Sequence, residues 1–276
     1  MSRVAVVTLA HGRHEHLRGQ HRTLAAATRP PDDYVVVAMD DPAIVPTDVV
    51  GLRSRVLHVA TDPGGLPLAR ARNRGARAAL DAGADVVVCL DVDCLAGPDL
   101  VASYAERVLA HPRTVWQGPV TYLAPPPDGG YPLADLTALD DPHPGRPAPA
   151  PGDVSWDADP DLFWSLSFAL SPAAWATAGG FDPEYVGYGA EDTDFGRRLV
   201  ASGLGLAWDG AARAFHQHHP VSRPPVEHLD DILRNAALFH RRWGAWPMLG
   251  WLEEFERRGL ASYDGLRWTR TVTDAR

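Results

Sequence analysis

Residues 85–94, DVVVCLDVDC, constrain this chain more than any other stretch. The apolar run from Val86 to Leu90 ends in two carboxylates one residue apart, Asp91 and Asp93, with Gly83 before it and Gly97-Pro98 after it. A short uninterrupted apolar run bounded by turn residues is the pattern of a strand covered on both faces, as in a parallel sheet. Side chains alternate along a strand, so Asp91 and Asp93 are expected to leave the sheet on the same side. Unpaired carboxylates are poor core residues. At a strand end they suit a hard divalent cation that shares its oxygen ligands with a substrate phosphate. A bare D-x-D is more often a solvated turn, so its surroundings decide.

Those surroundings repeat the pattern. RVAVVTL (3–9), YVVVAM (34–39) and RVLHVA (55–60) read as strands, and TVWQGPVTYL (114–123) as one more, broken at Gly118-Pro119. Between them lie helices from Leu68 to about Ala82, carrying Arg70, Arg72, Asn73, Arg74 and Arg77, and from Asp99 to about Ala110. Alternating strands and helices predict an α/β fold with a mainly parallel central sheet flanked by helices. Ligands bind such sheets beyond the carboxyl ends of the strands. Thr8, Ala10, His11, Asp40 and the segment Asp91-Val92-Asp93 all fall there. No G-x-G-x-x-G or P-loop pattern follows any strand, which argues against a dinucleotide dehydrogenase and a P-loop ATPase.

Residues 124–161 are rich in Pro, Asp and Gly and read as a mobile loop bordering a second substrate. Order returns with a strand at Phe168–Ser171 and a short helix opened by Ser171-Pro172. Behind the loop VGYGA, Glu191-Asp192-Thr193-Asp194 opens a helix with more acid than capping requires. Short strands at 204–208 and 212–216 follow, the second ending in His216-Gln217-His218-His219-Pro220. Amphipathic helices from His228 to about Arg242 and from about Pro247 to Arg258 are expected to pack on the catalytic domain or on a partner subunit, which leaves a homodimer open. The end, after about Trp268, is expected to fray.

The bulk numbers narrow the function. A net charge of −9 without a basic run argues against a nucleic-acid binder. Cys89 and Cys94 sit on or beside one strand, where a disulfide would distort it, so both read as thiols in a cytoplasmic setting. No apolar stretch approaches 18 residues, and no signal peptide or membrane span is expected.

Together these motifs resemble the family 2 glycosyltransferases of GT-A fold, with a later half like the galactosyltransferase C-terminal domain of the β-1,4-galactosyltransferase and chondroitin-polymerase type. The matching pieces are VAVVTLAHGR, VVVAMDD, GLPLARARNRGARAAL, VVVCLDVDC, FALSPAAWATAGGFDPEYVGYGAEDTDFGRRL and AFHQHHP, which span most of residues 3–220. The resemblance implies a Rossmann-like GT-A domain over 1–222, with 124–161 as a flexible acceptor-side loop, and a helical extension over 223–276 packed on it.

The roles it implies are these. Thr8, Ala10, His11 and Asp40 would lie along the base and ribose of the donor, Arg72 and Asn73 would match an Arg-Asn pair facing the nucleotide, and Asp91 and Val92 would line the donor. Asp93 would ligate Mn²⁺ (or Mg²⁺), with His216 completing the metal site and His218 its nearest rival. Asp192, or Glu191 beside it, would be the catalytic base, with Tyr188, Gly189 and Trp164 on the acceptor side. The related loop usually reads Gly-Trp-Gly-Gly-Glu-Asp; here Tyr188 stands for the Trp and Ala190 for the second Gly, which leaves the sugar open.

The activity implied is transfer of a sugar from a UDP-sugar to an acceptor hydroxyl with inversion, a GDP-sugar being the second choice of donor. A sugar-nucleotide nucleotidyltransferase and a non-catalytic nucleotide or sugar binder are the alternatives. The acceptor is open.

Overall fold

A computed structural model of the protein describes residues 2–271; five residues at the carboxyl end and Met1 lie outside it. The chain begins with β1 (Val4–Ala10), α1 (His14–Ala25), β2 (Asp33–Met39), β3 (Ser54–Val59), α2 (Leu68–Asp81) and β4 (Val86–Leu90). These four strands run parallel in the order β3-β2-β1-β4. Every residue of β1, β2 and β4 is buried, which is why each reads as a continuous apolar run rather than an alternating one.

After β4 the chain turns at once, with the Cys94 N–H donating to the Asp91 carbonyl (2.9 Å), and β5 (Cys94–Ala96) and α3 (Leu100–Ala110) follow. The segment expected as one broken strand becomes two, β6 (Thr114–Gln117) and β7 (Val120–Tyr122). They belong to different sheets. The Pro/Asp-rich stretch is anchored more than its composition suggests. It holds a 3₁₀ turn at Leu133–Leu139, and its β8 (Val154–Ser155) joins the main sheet as an edge strand.

Then come β9 (Ser167–Leu170), α4 (Pro172–Ala178), α5 (Glu191–Ala201), β10 (Gly205–Asp209) and β11 (Ala214–His216). The main sheet has eight strands in the order β3-β2-β1-β4-β9-β6-β10-β8, mostly parallel, with β9 antiparallel to both neighbours. One face packs on Leu17 and Leu24 of α1 and Tyr104 and Val108 of α3. The other packs on Ala69, Ala76 and Ala79 of α2, Trp175 of α4 and Phe195 and Leu199 of α5. Both cysteines are buried free thiols.

A three-stranded sheet, β5-β11-β7, stands beyond the carboxyl end of the main one, with Cys94 opposite His216. The chain reaches it through Gly118, where a Cβ would lie 1.9 Å from the Ala212 carbonyl oxygen and 2.8 Å from the Tyr104 hydroxyl. Backbone cannot yield as a flexible side-chain tip can. Gly118→Ala is therefore expected to destabilise the fold by about 1–3 kcal/mol. Gly250→Ala, with nothing within 4 Å of its added carbon, should be neutral or stabilising. Urea unfolding of the two variants checks the contrast; equal midpoints would show that the β6–β7 crossing relaxes freely.

The carboxyl end forms α6 (Leu229–Trp243), α7 (Leu249–Arg257) and a hairpin of β12 (Ala261–Tyr263) and β13 (Trp268–Arg270). Ile232, Leu252, Phe255 and Trp268 form a core of their own there. The fraying expected after Trp268 is thus replaced by strand pairing as far as Arg270, and the rest of that expectation lies outside the described residues. Among the described residues no helix is long and apolar enough to cross a membrane.

Candidate active site

The D-x-D turn is held from below. Gln20, wholly buried on α1, donates from Nε2 to the carbonyls of Asp91 (2.7 Å) and Cys94 (2.8 Å). Its Oε1 accepts from the Tyr34 hydroxyl (2.6 Å). Thr8 serves the same scaffold, with its hydroxyl 2.8 Å from the Leu90 carbonyl and 2.9 Å from Gln20 Oε1. Ala10 is buried beside it.

The two carboxylates take different ion-pair partners. Asp91 faces Arg72 (3.5 Å), whose guanidinium is buried, lies 4.6 Å over the Phe181 ring and reaches Glu191 at 3.8 Å. Burial pushes the Asp91 carboxyl up to about 6, against the pull of Arg72. Val92 between them is half-buried.

Asp93 turns instead to the small sheet. The Gln217 N–H donates to its carbonyl (2.7 Å), and its Oδ2 lies 3.4 Å from His216 Nε2 and 3.3 Å from His219 Nε2. Burial opposes its charge, yet the two imidazoles hold its carboxyl well below the usual carboxylate range. His216 is half-buried, which works against its charge, yet Asp93 raises its pKa. One ligand atom from each of Asp93, His216 and His219 lies within 4.8 Å of the others. Two donors about 2.2 Å from one ion and about 100° apart are separated by about 3.4 Å, which the two Asp93–histidine distances match.

The second histidine of the cluster is His219, not His218. His218 is exposed, and its main chain alone is tied down, by the Tyr131 hydroxyl (3.0 Å) and His16 (3.3 Å). β11 ends at His216, so the residues after it are not fixed by the strand's alternation. Three nearby histidines were visible in the sequence; which one folds back was not.

Glu191 and Asp192 open α5 from a left-handed Ala190 (φ 70°). Glu191 is buried against Arg72 with its Oε2 unpartnered. Burial first and then the neighbouring Asp192 push its carboxyl up, and burial does the same for Asp192. Asp192 is less enclosed and accepts from the Thr193 N–H through Oδ1 (2.7 Å).

Aromatic side chains border this centre. Tyr122 stacks on His216 (centroids 4.5 Å apart), His143 follows at 5.0 Å and Trp164 at 5.4 Å from His143. On the α5 side Tyr188 stacks on His228 at 4.6 Å, and Gly189 (φ 97°) lies against Met248. Arg146, from the Pro/Asp-rich stretch, is buried between Trp164 (5.2 Å) and Trp208 (4.6 Å), a placement nothing in its local sequence signals.

Two expected donor residues have other partners. Asn73 clamps the turn before Tyr185, donating to the Phe181 carbonyl and accepting from the Phe181 N–H, both at 2.7 Å. Its neighbour in the Arg-Asn pair thus points to the site while Asn73 braces the fold. Asp40 is exposed with φ 48°, and His11 is exposed with Nδ1 2.7 Å from the Met39 carbonyl. Asp41 does the local bracing, accepting from the Gly12 N–H (2.9 Å) and pairing with His14 (3.1 Å).

Residues 154–234 match a family model described as the N-terminal domain of galactosyltransferase. A validoxylamine A glucosyltransferase from Streptomyces hygroscopicus subsp. limoneus is 32% identical over 245 residues, 80% of this chain. The chain spans about half the length of that relative, 52%. Among solved structures, GalNAc-T7 with UDP, GalNAc and Mn²⁺ superposes with a TM-score of 0.56 at 16% identity, over 79% of this chain and 44% of that one. Residues 1–349 of S. aureus TarS in complex with UDP-GlcNAc superpose with a TM-score of 0.55 at 12% identity, over 93% and 78%. The chain has the GT-A fold, and the resemblance to glycosyltransferases of that fold read from its sequence holds in its sequence relatives and in its architecture.

Proposed function

We propose that the protein is a metal-dependent glycosyltransferase that moves a sugar from a UDP-sugar to an acceptor hydroxyl with inversion. The observation that carries this reading is the cluster of Asp93, His216 and His219 at the carboxyl edge of the sheet, joined through Asp91 and Arg72 to the acids that open α5. The relative named as a glucosyltransferase and the structures solved with UDP, Mn²⁺ and UDP-GlcNAc support it.

Asp93, His216 and His219 would hold Mn²⁺, with Mg²⁺ second because imidazole suits it less. When bound, the ion would offset charge on the diphosphate leaving group. Thr8, Ala10, His11 and Asp40 border the nucleoside side, the first two by shaping the backbone. Arg72 supplies a fixed buried positive charge, and Glu191 and Asp91 keep it in place. Asp192 is the general base that takes the acceptor proton, because it is the more open of the two α5 acids. Tyr188, Gly189 and Trp164 border the acceptor. Residues 1–222 form the GT-A unit in this reading and 223–276 its extension.

Calorimetric titration of UDP and GDP, with and without Mn²⁺, tests it. Tight Mn²⁺-dependent binding of UDP is expected. Preference for GDP would overturn the donor, and no binding of either nucleotide by folded protein would overturn the enzyme reading. The same titration separates the histidines. His219→Ala should weaken Mn²⁺-dependent UDP binding by about tenfold or more, as loss of a ligand requires. His218→Ala should leave it unchanged, and the reverse result would restore His218 to the site.

A further inference from the structure

The loop that presents Asp192 does not hold its own shape. Among Val186, Gly187, Tyr188, Gly189 and Ala190, three residues are left-handed: Gly187 (φ 72°), Gly189 (φ 97°) and Ala190 (φ 70°). For alanine that region costs about 1–2 kcal/mol, and such backbone persists only where its surroundings enforce it.

The enforcement comes from α6. Asn235 is fully buried and donates from Nδ2 to the carbonyls of Val186 (3.0 Å) and Tyr188 (3.2 Å). Asp231 Oδ2 accepts from the Tyr188 N–H (3.2 Å). Arg234 donates to the Val186 carbonyl and to the Gly64 carbonyl (3.3 Å), and is itself braced by Asp231 (2.8 Å). The three residues stand at i, i+3 and i+4, one face of the helix. The Gly187 N–H, on the loop's other side, donates to the Leu66 carbonyl (2.9 Å), just before the helix that carries Arg72. Even the space is committed, for a Cβ on Gly187 would lie 2.2 Å from Asp231 Oδ2.

We infer that Asn235 and Asp231 are positioning residues that fix the 186–190 loop and so aim Asp192 at the acceptor, making the carboxyl-terminal helices part of the transfer apparatus rather than packing alone. The inference rests on the proposed transferase reading for its catalytic consequence, but the loop clamp itself is measurable without turnover. The clamp touches neither Asp93 nor the histidines, so nucleotide binding and transfer respond to it differently.

The test compares Asn235→Leu, Asp231→Ala and the conservative Asp231→Asn, which keeps an oxygen for the Tyr188 N–H. Hydrogen exchange of the 186–192 amides is expected to rise tenfold or more in the first two and by less in Asp231→Asn, which keeps the Tyr188 bond but gives up the brace on Arg234. Their Mn²⁺-dependent UDP affinity should remain within about twofold, while kcat for transfer falls about tenfold or more with little change in KM for the UDP-sugar. If Asn235→Leu does not fold, Asp231→Ala carries the same expectations. Exchange that rises equally across the whole chain would make the role purely structural and overturn the inference. So would unchanged exchange and unchanged kcat. If the parent protein transfers no sugar, the functional reading fails while local exchange still decides whether α6 holds the loop.

Discussion

Asp93→Ala is expected to abolish the Mn²⁺-dependent part of UDP binding, a loss of about a hundredfold or more. Asp93 is the one carboxylate in the cluster, and both imidazoles point their Nε2 atoms at the same oxygen. Removing it takes away the one carboxylate of that cluster and leaves two imidazoles, which can still coordinate but bring no negative charge to offset the cation's. Loss of residues that merely orient ligands already costs 10- to 100-fold in metal affinity, so loss of the ligand itself should cost more. Asp91→Asn is the control. That carboxyl pairs with Arg72 and makes no ion pair with the histidines, and the change should cost much less in metal-dependent affinity. Calorimetry with UDP and Mn²⁺ reads both variants. Undiminished binding in Asp93→Ala would remove the cluster from the donor site, and an equal loss in Asp91→Asn would mean that the two aspartates act as one ligand pair.

The contrast between those aspartates shows where sequence reasoning ended. β1, β2 and β4 were legible because burial on both faces leaves an unmistakable apolar run. The break at Gly118-Pro119 was legible too, although not that its halves would join different sheets. What decides the site is that second sheet. β11 was readable as a short strand ending at His216, but three-residue β5 carries too little pattern to read, and it is their pairing that sets Cys94 against His216 and so brings Asp93 to the histidines. The Asp91–Asp93 turn could not be foreseen from alternation, since the bonds that brace it come from Gln20, more than 70 residues away. Gln20 and Asn235 share one discernible signal, a polar residue on the apolar face of an amphipathic helix. A buried amide there needs partners, and both found theirs in the backbone of a functional loop. Asn73 matched its motif yet proved to brace the turn at Phe181, because a motif records residue type and not the direction of a side chain.

The two acids at the head of α5 should part under mutation. Asp192→Asn is expected to lower transfer by a factor of about 10² or more while leaving UDP and Mn²⁺ affinity intact, as loss of a general base should. Glu191→Gln should announce itself through stability. Burial, then Asp192, raises the Glu191 carboxyl above its unfolded value, and Arg72 only partly offsets them. Because the folded pKa is the higher one, ionisation is harder in the fold, and the fold loses stability as pH rises from the unfolded value of about 4.3. The amide mimics the neutral acid and escapes that loss. Glu191→Gln should therefore melt with the parent near pH 4 and at a higher temperature than the parent at pH 7. Arg72 keeps Asp91 at 3.5 Å and the Phe181 ring at 4.6 Å, so its charge is not abandoned by the change. Thermal unfolding at the two pH values, with transfer rates measured alongside, separates the roles. A gap that closes as pH rises would reverse the sign of the burial argument, and a larger loss of transfer in Glu191→Gln than in Asp192→Asn would make Glu191 the base.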